Sequence, residues 1–208
     1  MRSLLLLAAL TCLAPMLRAD DTEDFLNPKN WVGRDDLWKI EKNTVTGETK
    51  EDPKSNTFLV SKEKYANFEL SFKVKLTDAI GNSGVQVRSK LTDEKKFVVA
   101  GPQVDVGKGY WGSLYGEGIG GMMEAAKPEL IKKHVKESEF NTYKIVANGT
   151  KYTVEVNGEK FIDNDFPKTP DKKNPKDAPT EGVIAFQVHS GYPKMKVEYT
   201  DIVFKKLK

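Results

Sequence analysis

The stretch FELSFKVKL, residues 68–76, decides the fold class, because apolar and polar side chains alternate along it without interruption. Apolar residues occupy every second position from Phe68 to Leu76, and polar or charged residues fill the positions between them. Successive side chains of a strand point to opposite faces of its sheet. The stretch therefore predicts an antiparallel strand with one face on a core and the other face in water.

The rest of the chain repeats this pattern as short strands separated by turns rich in glycine, asparagine and proline. The predicted strands are 85–89, 97–100, 103–106, 143–147, 152–156, 160–162, 183–189 and 196–204. Asn157-Gly158 is a typical tight-turn pair between two of them. Many short strands with little helix predict an all-β fold, an antiparallel two-sheet β-sandwich of jelly-roll type.

Two segments depart from the strand pattern. Residues 122–135 have helical character, which Pro128 interrupts. Residues 167–181 are rich in proline, lysine and aspartate and predict a long exposed loop inside the domain, because a strand pattern resumes after them.

The N-terminus reads as a secretory signal peptide covering residues 1–19. Arg2 supplies the positive start, Leu4 to Leu10 supply a short apolar run, and Ala19 is a small residue suited to cleavage. Attachment of a lipid at Cys12 is an alternative that the preceding residues fit poorly. We therefore expect a secreted or periplasmic protein whose residues 20–208 form a single domain.

Charge, hydropathy and cysteine content limit the kinds of partner that the chain can bind and the ways in which it can be stabilised. The chain has 33 lysines and arginines against 30 aspartates and glutamates, a near balance that argues against nucleic acid as a partner. No later segment approaches the roughly 20 apolar residues of a membrane-spanning helix. Removal of the signal would remove the single cysteine, so the core alone would have to stabilise the exported domain.

Two segments carry titratable residues on strands that otherwise read as buried, GPQVDVGKGYWGSLYGEG at 101–118 and QVHSG at 187–191. Gln103 and Asp105 share one strand face, and Gln187 and His189 share another. Asp105, His189 and Glu117 are the candidates for proton transfer. The alternatives are that Asp105 orients a loop, that Glu117 is simply solvated, and that His189 holds the final turn.

Three further groups are candidates for contact with a ligand. Gln103 and Gln187 suit sugar hydroxyls, or else link neighbouring strands. If the face of Gln86 and Arg88 is the concave one, Arg88 would clamp an oxyanion or a hydroxyl through its planar fork; the alternative is a surface arginine paired with Glu69 or Asp78. Aromatic rings that suit stacking on a sugar, or packing in the core, are Tyr110, Trp111 and Tyr115.

The sequence contains no motif that requires a metal ion or a cofactor. No cluster of histidine and cysteine predicts a zinc site, and no cofactor is required by the sequence. The sequence leaves open a site for a divalent cation such as calcium, because aspartates and backbone carbonyls suffice as its ligands.

An ordered series of motifs resembles the 3-keto-disaccharide hydrolase domain family, from about Trp31 to the C-terminus. The motifs are NTFLVSKEKYANFELSFKVKL, GNSGVQVR, GPQVDVGKGYWGSLYGE, VNGEKF, GVIAFQVHSG and DIVFKKLK. The resemblance implies a concanavalin A-like β-sandwich, related in shape to lectins and glucanases, in an exported protein that acts on oxidised glycosides. Many members carry an acid where this chain has Pro102, so a role of that acid does not transfer to Pro102.

The expected function is therefore an exported glycoside-active enzyme that cleaves 3-keto-glycosides or 3-keto-disaccharides by base-promoted elimination or by hydrolysis. His189 or Asp105 would be the base, Glu117 the acid, and Arg88 or a cation would stabilise the oxyanion. A glycosidase with two carboxylates is a neighbouring alternative. The alternative from another class is a non-catalytic carbohydrate-binding domain that uses the same sheet face.

Overall fold

The computed structural model describes residues 19–166 and 179–208. Cys12 and all of the predicted signal peptide except residue 19 lie outside these residues. Most of the predicted loop at 167–181 also lies outside them. The described residues contain fourteen strands. They are β1 Trp31–Val32, β2 Trp38–Glu41, β3 Thr44–Thr49, β4 Thr57–Ser61, β5 Phe68–Leu76, β6 Asn82–Asp93, β7 Val98–Gly107, β8 Leu114–Glu117, β9 Gly121–Glu124, β10 Asn141–Asn148, β11 Lys151–Val156, β12 Glu159–Asp165, β13 Val183–Val188 and β14 Met195–Lys206.

These strands form two seven-stranded antiparallel sheets. The front sheet has the order β1-β4-β13-β6-β7-β8-β9, and the back sheet has the order β12-β11-β10-β5-β14-β3-β2. Strand β5 runs from Phe68 to Leu76, and its apolar positions are buried while the positions between them are partly or fully exposed. The predicted all-β, two-sheet antiparallel sandwich of the concanavalin A-like type is confirmed.

Helices are few and short. Two α-helices, α1 Ala19–Phe25 and α2 Pro128–His134, and two 3-10 helices, Pro28–Asn30 and Thr77–Ala79, are present in the described residues. The helix expected over 122–135 is wrong in its first part, since residues 122–124 belong to strand β9. Pro128 begins α2, where its missing N–H removes no helical hydrogen bond. No helix among the described residues has the length and apolar character needed to cross a membrane.

The core lies between the sheets and is rich in aromatic rings. Phe72 of β5 stacks on Tyr143 of β10, with ring centroids 5.4 Å apart. Phe25 at the end of α1 stacks on Phe204 of β14 at 4.3 Å, so this helix closes one end of the core. Offset stacking of buried rings adds to the free energy gained from their burial.

The front sheet has one face on this core and one face turned away from it. Val104 and Val106 of β7 belong to the core. Because side chains alternate along a strand, Gln103 and Asp105 lie on the outer face of the front sheet. This alternation supplies the central part of the candidate site.

Candidate functional site

A pocket of about 270 Å³ lies on the outer face of the front sheet. Residues from widely separated parts of the chain line it: Asn56, Asn82, Gln103, Asp105, Tyr110, Tyr115, Glu117 and His189. Six of these residues are candidates that the sequence analysis predicted, and the other two, Asn56 and Asn82, are not. Three predicted candidates do not line the pocket: Gln187, Trp111 and Arg88.

Asp105 is the most deeply placed ionisable group of the pocket, with only 5% of its surface exposed. The side-chain amide nitrogen of Gln103 donates a hydrogen bond to Asp105 Oδ1 at 2.8 Å. Burial raises the pKa of Asp105 to about 7, the Gln103 hydrogen bond opposes this rise, and the charge of Glu117 adds to it. Asp105 can therefore hold or release a proton near neutral pH.

His189 follows β13 directly, and its ring has a defined tautomer. The backbone N–H of His189 donates to the carbonyl of Asn82 at 3.3 Å. Ring atom Nδ1 lies 2.6 Å from the carbonyl oxygen of Ser190. Because a carbonyl oxygen can only accept, Nδ1 carries a proton, and Nε2 of the neutral ring holds a lone pair. The neutral imidazole can therefore act as a base through Nε2.

Glu117, the last residue of β8, is partly buried and is held by Asn56. The Asn56 amide nitrogen donates to Glu117 Oε1 at 3.3 Å. The Asn56 amide oxygen accepts from the backbone N–H of Ser190 at 3.0 Å. Asn56 thus connects Glu117 to the turn that follows His189. It stands just before the buried strand β4, and nothing in its local sequence pattern indicated that role.

Asn82 begins β6, and a neighbouring glycine makes room for its side chain. Gly107 pairs with Asn82 across β6 and β7. A Cβ atom at Gly107 would lie 2.7 Å from Asn82 Nδ2. Within the described residues the Asn82 amide makes no hydrogen bond, so its N–H groups remain available to a ligand in the pocket. The sequence signal was only the turn GNSG.

The three nominated aromatic residues separate into two groups. Tyr110 and Tyr115 both line the pocket, and Tyr110 is 49% exposed. The expectation that Trp111 contacts sugar needs correction, because Trp111 is 1% exposed and belongs to the core. The turn that carries it folds back on β7, since the N–H of Gly112 donates to the carbonyl of Asp105 at 2.9 Å. The large indole is therefore buried, which is the alternative that the sequence left open.

The expected oxyanion clamp, Arg88, also needs correction. A β-bulge interrupts β6 between Gln86 and Lys90, and Arg88 takes a left-handed backbone conformation there, with φ of +51°. Alternation is lost at a bulge, so Arg88 does not share a face with Gln86. Its buried guanidinium donates to the carbonyls of Ala66 and Gly149 instead, which belong to the back-sheet side of the sandwich.

Gln187 is fully buried beside the pocket. Its amide oxygen accepts from the Gln103 amide nitrogen at 3.3 Å. Its own amide nitrogen is buried without a partner among the described residues. Gln187 therefore supports Gln103, the second of the roles that the sequence allowed, and it does not itself line the pocket.

In the part of the chain that the structure describes, no three side chains of histidine, cysteine, aspartate or glutamate come together as ligands for a metal ion. The expectation of a divalent cation such as calcium accordingly stays a prediction from sequence.

Comparison with known families adds to this geometry. The family model of the 3-keto-alpha-glucoside-1,2-lyase-like domain matches residues 21–205. The chain belongs to this family. The resemblance to the 3-keto-disaccharide hydrolase domain family is thereby confirmed. No curated protein matches the chain.

Solved structures share the fold of this 3-keto-alpha-glucoside-1,2-lyase-like domain at low sequence identity. A candidate glycosyl hydrolase from Parabacteroides distasonis is 21% identical, with 86% of this chain and 94% of that chain covered and a TM-score of 0.59. The carbohydrate-binding module CBM66 from Bacillus subtilis is 14% identical, with 85% and 96% covered and a TM-score of 0.59. A Bacillus subtilis protein with a galectin-like fold is 12% identical, with 86% and 90% covered and a TM-score of 0.56. These likenesses show the fold alone.

Proposed function

We propose that the protein is an enzyme that cleaves 3-keto-glycosides by elimination, with His189 as the base and Asp105 as the acid. The observation that carries the proposal is that a histidine with a free ring nitrogen and a buried carboxyl group line one pocket. A ring nitrogen with a lone pair and a protonated carboxyl group are the base and the acid that an elimination needs. The family's name, a 3-keto-alpha-glucoside-1,2-lyase-like domain, supports the choice of substrate.

The elimination follows from the ketone. A carbonyl at C3 acidifies the hydrogen on C2, and His189 Nε2 takes that proton while the C–H electron pair forms an enolate with its charge on the C3 oxygen. The carbonyl then re-forms, a C1–C2 double bond appears, and the bond from C1 to the glycosidic oxygen breaks. The departing oxygen takes the proton of Asp105. Water can add to C1 afterwards, which makes the net reaction a hydrolysis.

A hydrogen-bond donor is needed where the enolate charge develops on the C3 oxygen. Arg88 is committed to backbone carbonyls on the other side of the sheet, so it does not fill this role. Asn82 lines the pocket and its amide is free of partners within the described residues, so we assign it the role. A well-placed donor of this kind contributes about 3 kcal/mol to the stability of a transition state.

The size and lining of the pocket support binding of one sugar ring. Amide groups of Asn56 and Gln103 suit hydroxyls. The rings of Tyr110 and Tyr115 offer apolar area to the face of a pyranose. In this assignment Glu117 is not the acid itself; burial raises the pKa of Asp105, and the negative charge of Glu117 adds to that rise.

Leaving-group dependence tests the assignment of the acid. We would compare 3-keto-glucosides that carry p-nitrophenol or a simple alcohol at C1. The Asp105→Asn variant should lose kcat strongly, by roughly 100-fold or more, with the alcohol. It should lose little with p-nitrophenol, which departs without a proton. Equal losses with both substrates would remove Asp105 from the role of acid.

Deuterium at C2 tests the base. The wild type should show a primary isotope effect on cleavage of the p-nitrophenyl substrate, and His189→Ala should abolish turnover while the protein stays folded. His134→Ala is the matched control, because His134 lies on α2 and does not line the pocket. Full activity in His189→Ala would eliminate the proposed base.

A non-catalytic carbohydrate-binding domain is the second candidate, favoured by the amides and phenols that line the same pocket. It predicts saturable calorimetric binding of an unmodified glycoside without turnover of any 3-keto-glycoside. His189→Ala and Asp105→Asn would then change the affinity only modestly.

We also propose that the protein acts after export, in the periplasm or outside the cell, on the basis of the N-terminal sequence. Mass spectrometry of the protein recovered from its native host should give a mature chain that begins at residue 20. A mature chain that retains residues 1–19 would contradict export by cleavage, and a lipid-modified Cys12 would favour anchoring instead.

A further inference from the structure

Gln86 of β6 lies next to the pocket, although it does not line it. It is fully buried on the outer face of the front sheet, opposite Gln103 of β7 in the strand register. The amide nitrogen of Gln86 donates to Gln103 Oε1 at 2.8 Å.

Hydrogen bonds connect Gln86 to Asp105 in one direction. Ser89 Oγ lies 2.6 Å from the amide oxygen of Gln86 and donates to it. Gln86 donates to Gln103 Oε1, and the Gln103 amide nitrogen donates to Asp105 Oδ1. Each amide in this chain accepts at its oxygen and donates from its nitrogen, so the orientation of one fixes the orientation of the next.

Two glycines make room for the chain. A Cβ atom at Gly84 would lie 2.7 Å from Cδ of Gln103, and a Cβ atom at Gly101 would lie 2.3 Å from Ser89 Oγ. Real Cβ atoms do not approach other atoms so closely. The backbone of the sheet therefore has glycine at the two positions where a larger residue would displace the side chains of Gln103 and Ser89.

We propose that Gln86 is a positioning residue that sets the direction of the Gln103 amide, and that it thereby decides which oxygen of Asp105 carries the exchangeable proton. With Gln103 donating, Asp105 Oδ1 is an acceptor in both protonation states. The proton then resides on Oδ2. If the amide turned over, its oxygen would meet Oδ1 and favour the protonated carboxyl group.

The consequence for Asp105 has a definite sign. A hydrogen bond donated to a carboxylate stabilises the charged form and lowers its pKa, and Gln103 acts in this direction against the effect of burial. Loss of the anchor at Gln86 frees the Gln103 amide to turn. The pKa of Asp105 should then rise. This inference uses the proposed function only for its meaning in catalysis, because the titration of Asp105 exists whether or not the protein is an enzyme.

The test is a titration by NMR. The chemical shift of the Asp105 carboxyl carbon is followed against pH in the wild type and in Gln86→Met, which keeps the length of the side chain and removes the donor. The midpoint should rise by about one pH unit, as loss of one charge-assisted hydrogen bond predicts. In the same variant, any limb of the pH–rate profile that belongs to Asp105 should move by the same amount with the plateau kcat largely kept.

Gln187→Met is the matched control. Gln187 is also a fully buried glutamine that contacts Gln103, but it accepts from the Gln103 nitrogen and leaves Gln103 Oε1 bound to Gln86. Its removal should leave the Asp105 midpoint close to that of the wild type. An equal rise in both variants would mean that packing, and not the direction of the amide, sets the pKa, and this would overturn the proposal.

A second variant covers the case in which Gln86→Met fails to fold. Gly84→Ala leaves Gln86 in place and pushes the Gln103 amide away from its seat, so it should also raise the Asp105 midpoint. An unchanged midpoint in a folded Gln86→Met or Gly84→Ala protein would overturn the proposal. If the midpoint rises but no 3-keto-glycoside is cleaved, the positioning of Asp105 stands and the proposed function fails.

Discussion

Asn56 holds Glu117 with its amide nitrogen while its amide oxygen holds the turn after His189. One side chain, placed before β4, thus links a carboxylate at the end of β8 to the segment that follows β13. The backbone N–H of Gly191 is fixed from the same side, since it donates to Asp52 Oδ1 at 2.9 Å. The segment 52–56 therefore sets the position of His189 relative to the carboxyl groups.

Replacement of Asn56 by leucine should reduce catalysis without unfolding the protein. The side-chain hydrogen bonds of Asn56 to Glu117 and to Ser190 are lost, so Glu117 and the Ser190 turn move independently. We expect kcat/KM for a 3-keto-glucoside to fall by roughly tenfold to 100-fold, because misplacement of reacting groups is costly. Steady-state kinetics and a melting curve measure the two effects separately.

Asn164→Leu is the control for that variant. Asn164 also donates to a glutamate, Glu124, but it is exposed and lies outside the pocket. Its replacement should leave kcat/KM unchanged. An Asn56→Leu enzyme as active as Asn164→Leu would show that the link between Glu117 and the turn has no functional role.

Asp105→Asn should stabilise the protein at alkaline pH. The pKa of Asp105 is about 7 in the folded chain, against about 3.9 in an unfolded one. The folded state therefore binds the proton more tightly, and the stability that this gives is present below about pH 4 and is lost as the pH rises through 7. Asparagine removes the loss, a gain of roughly 2–4 kcal/mol at pH 8.5.

Urea denaturation of both proteins at pH 4, 6 and 8.5 measures this effect. The difference in the free energy of unfolding should grow from pH 4 to pH 8.5. A difference that does not depend on pH would mean that Asp105 does not bind its proton more tightly in the folded state.

Glu117→Gln should lower the pKa of Asp105. The charge of Glu117 raises that pKa, so its neutralisation allows Asp105 to lose its proton at lower pH. If Asp105 is the acid, the alkaline limb of the pH–rate profile moves to lower pH. Glu124→Gln, on the neighbouring strand β9 and outside the pocket, should leave the limb in place. A shift to higher pH in Glu117→Gln would contradict the electrostatic role of this residue.

Arg88→Met should destabilise the fold. The molecules that remain folded should keep the proposed cleavage activity on 3-keto-glycosides. Arg88 is 1% exposed, and its loss removes the hydrogen bonds that its charged guanidinium donates to the carbonyls of Ala66 and Gly149. We expect a loss of about 3 kcal/mol in the free energy of unfolding. Arg34→Met, which breaks only an exposed ion pair with Asp36, should cost under about 1 kcal/mol. A stable Arg88→Met protein with abolished turnover would restore the oxyanion clamp.

Strand alternation made the centre of the site predictable. Val104 and Val106 in the core imply Gln103 and Asp105 outside it, and the same reasoning correctly places Phe72 and Leu70 inward on β5. The pattern fails at Arg88, because a bulge shifts the alternation by one residue and no local sequence signal marks it. Trp111 was ambiguous, since a glycine-rich turn does not reveal which of its aromatic residues faces the core.

Residues that act through tertiary contacts left no local signal. Asn56 and Asn82 join the pocket only when β4 and β6 pair with the strands around them. Gln86 alternates with two core valines as many exposed residues do, and its contact with Gln103 depends on the register of β6 against β7. Sequence reasoning therefore found the site residues that the pattern of their own strand marks. It missed the residues that reach the site only through contacts between strands.

The pocket is lined by residues of β6, β7 and β8, by the loop between β7 and β8, and by the residues just before β4 and just after β13. These segments span most of the domain. No fragment that ends before Val183 would carry His189, and none that begins after Thr57 would carry Asn56. If the protein has the proposed activity, turnover requires the complete fold: a chain whose last strands have not yet docked would be inactive, however much secondary structure it has acquired.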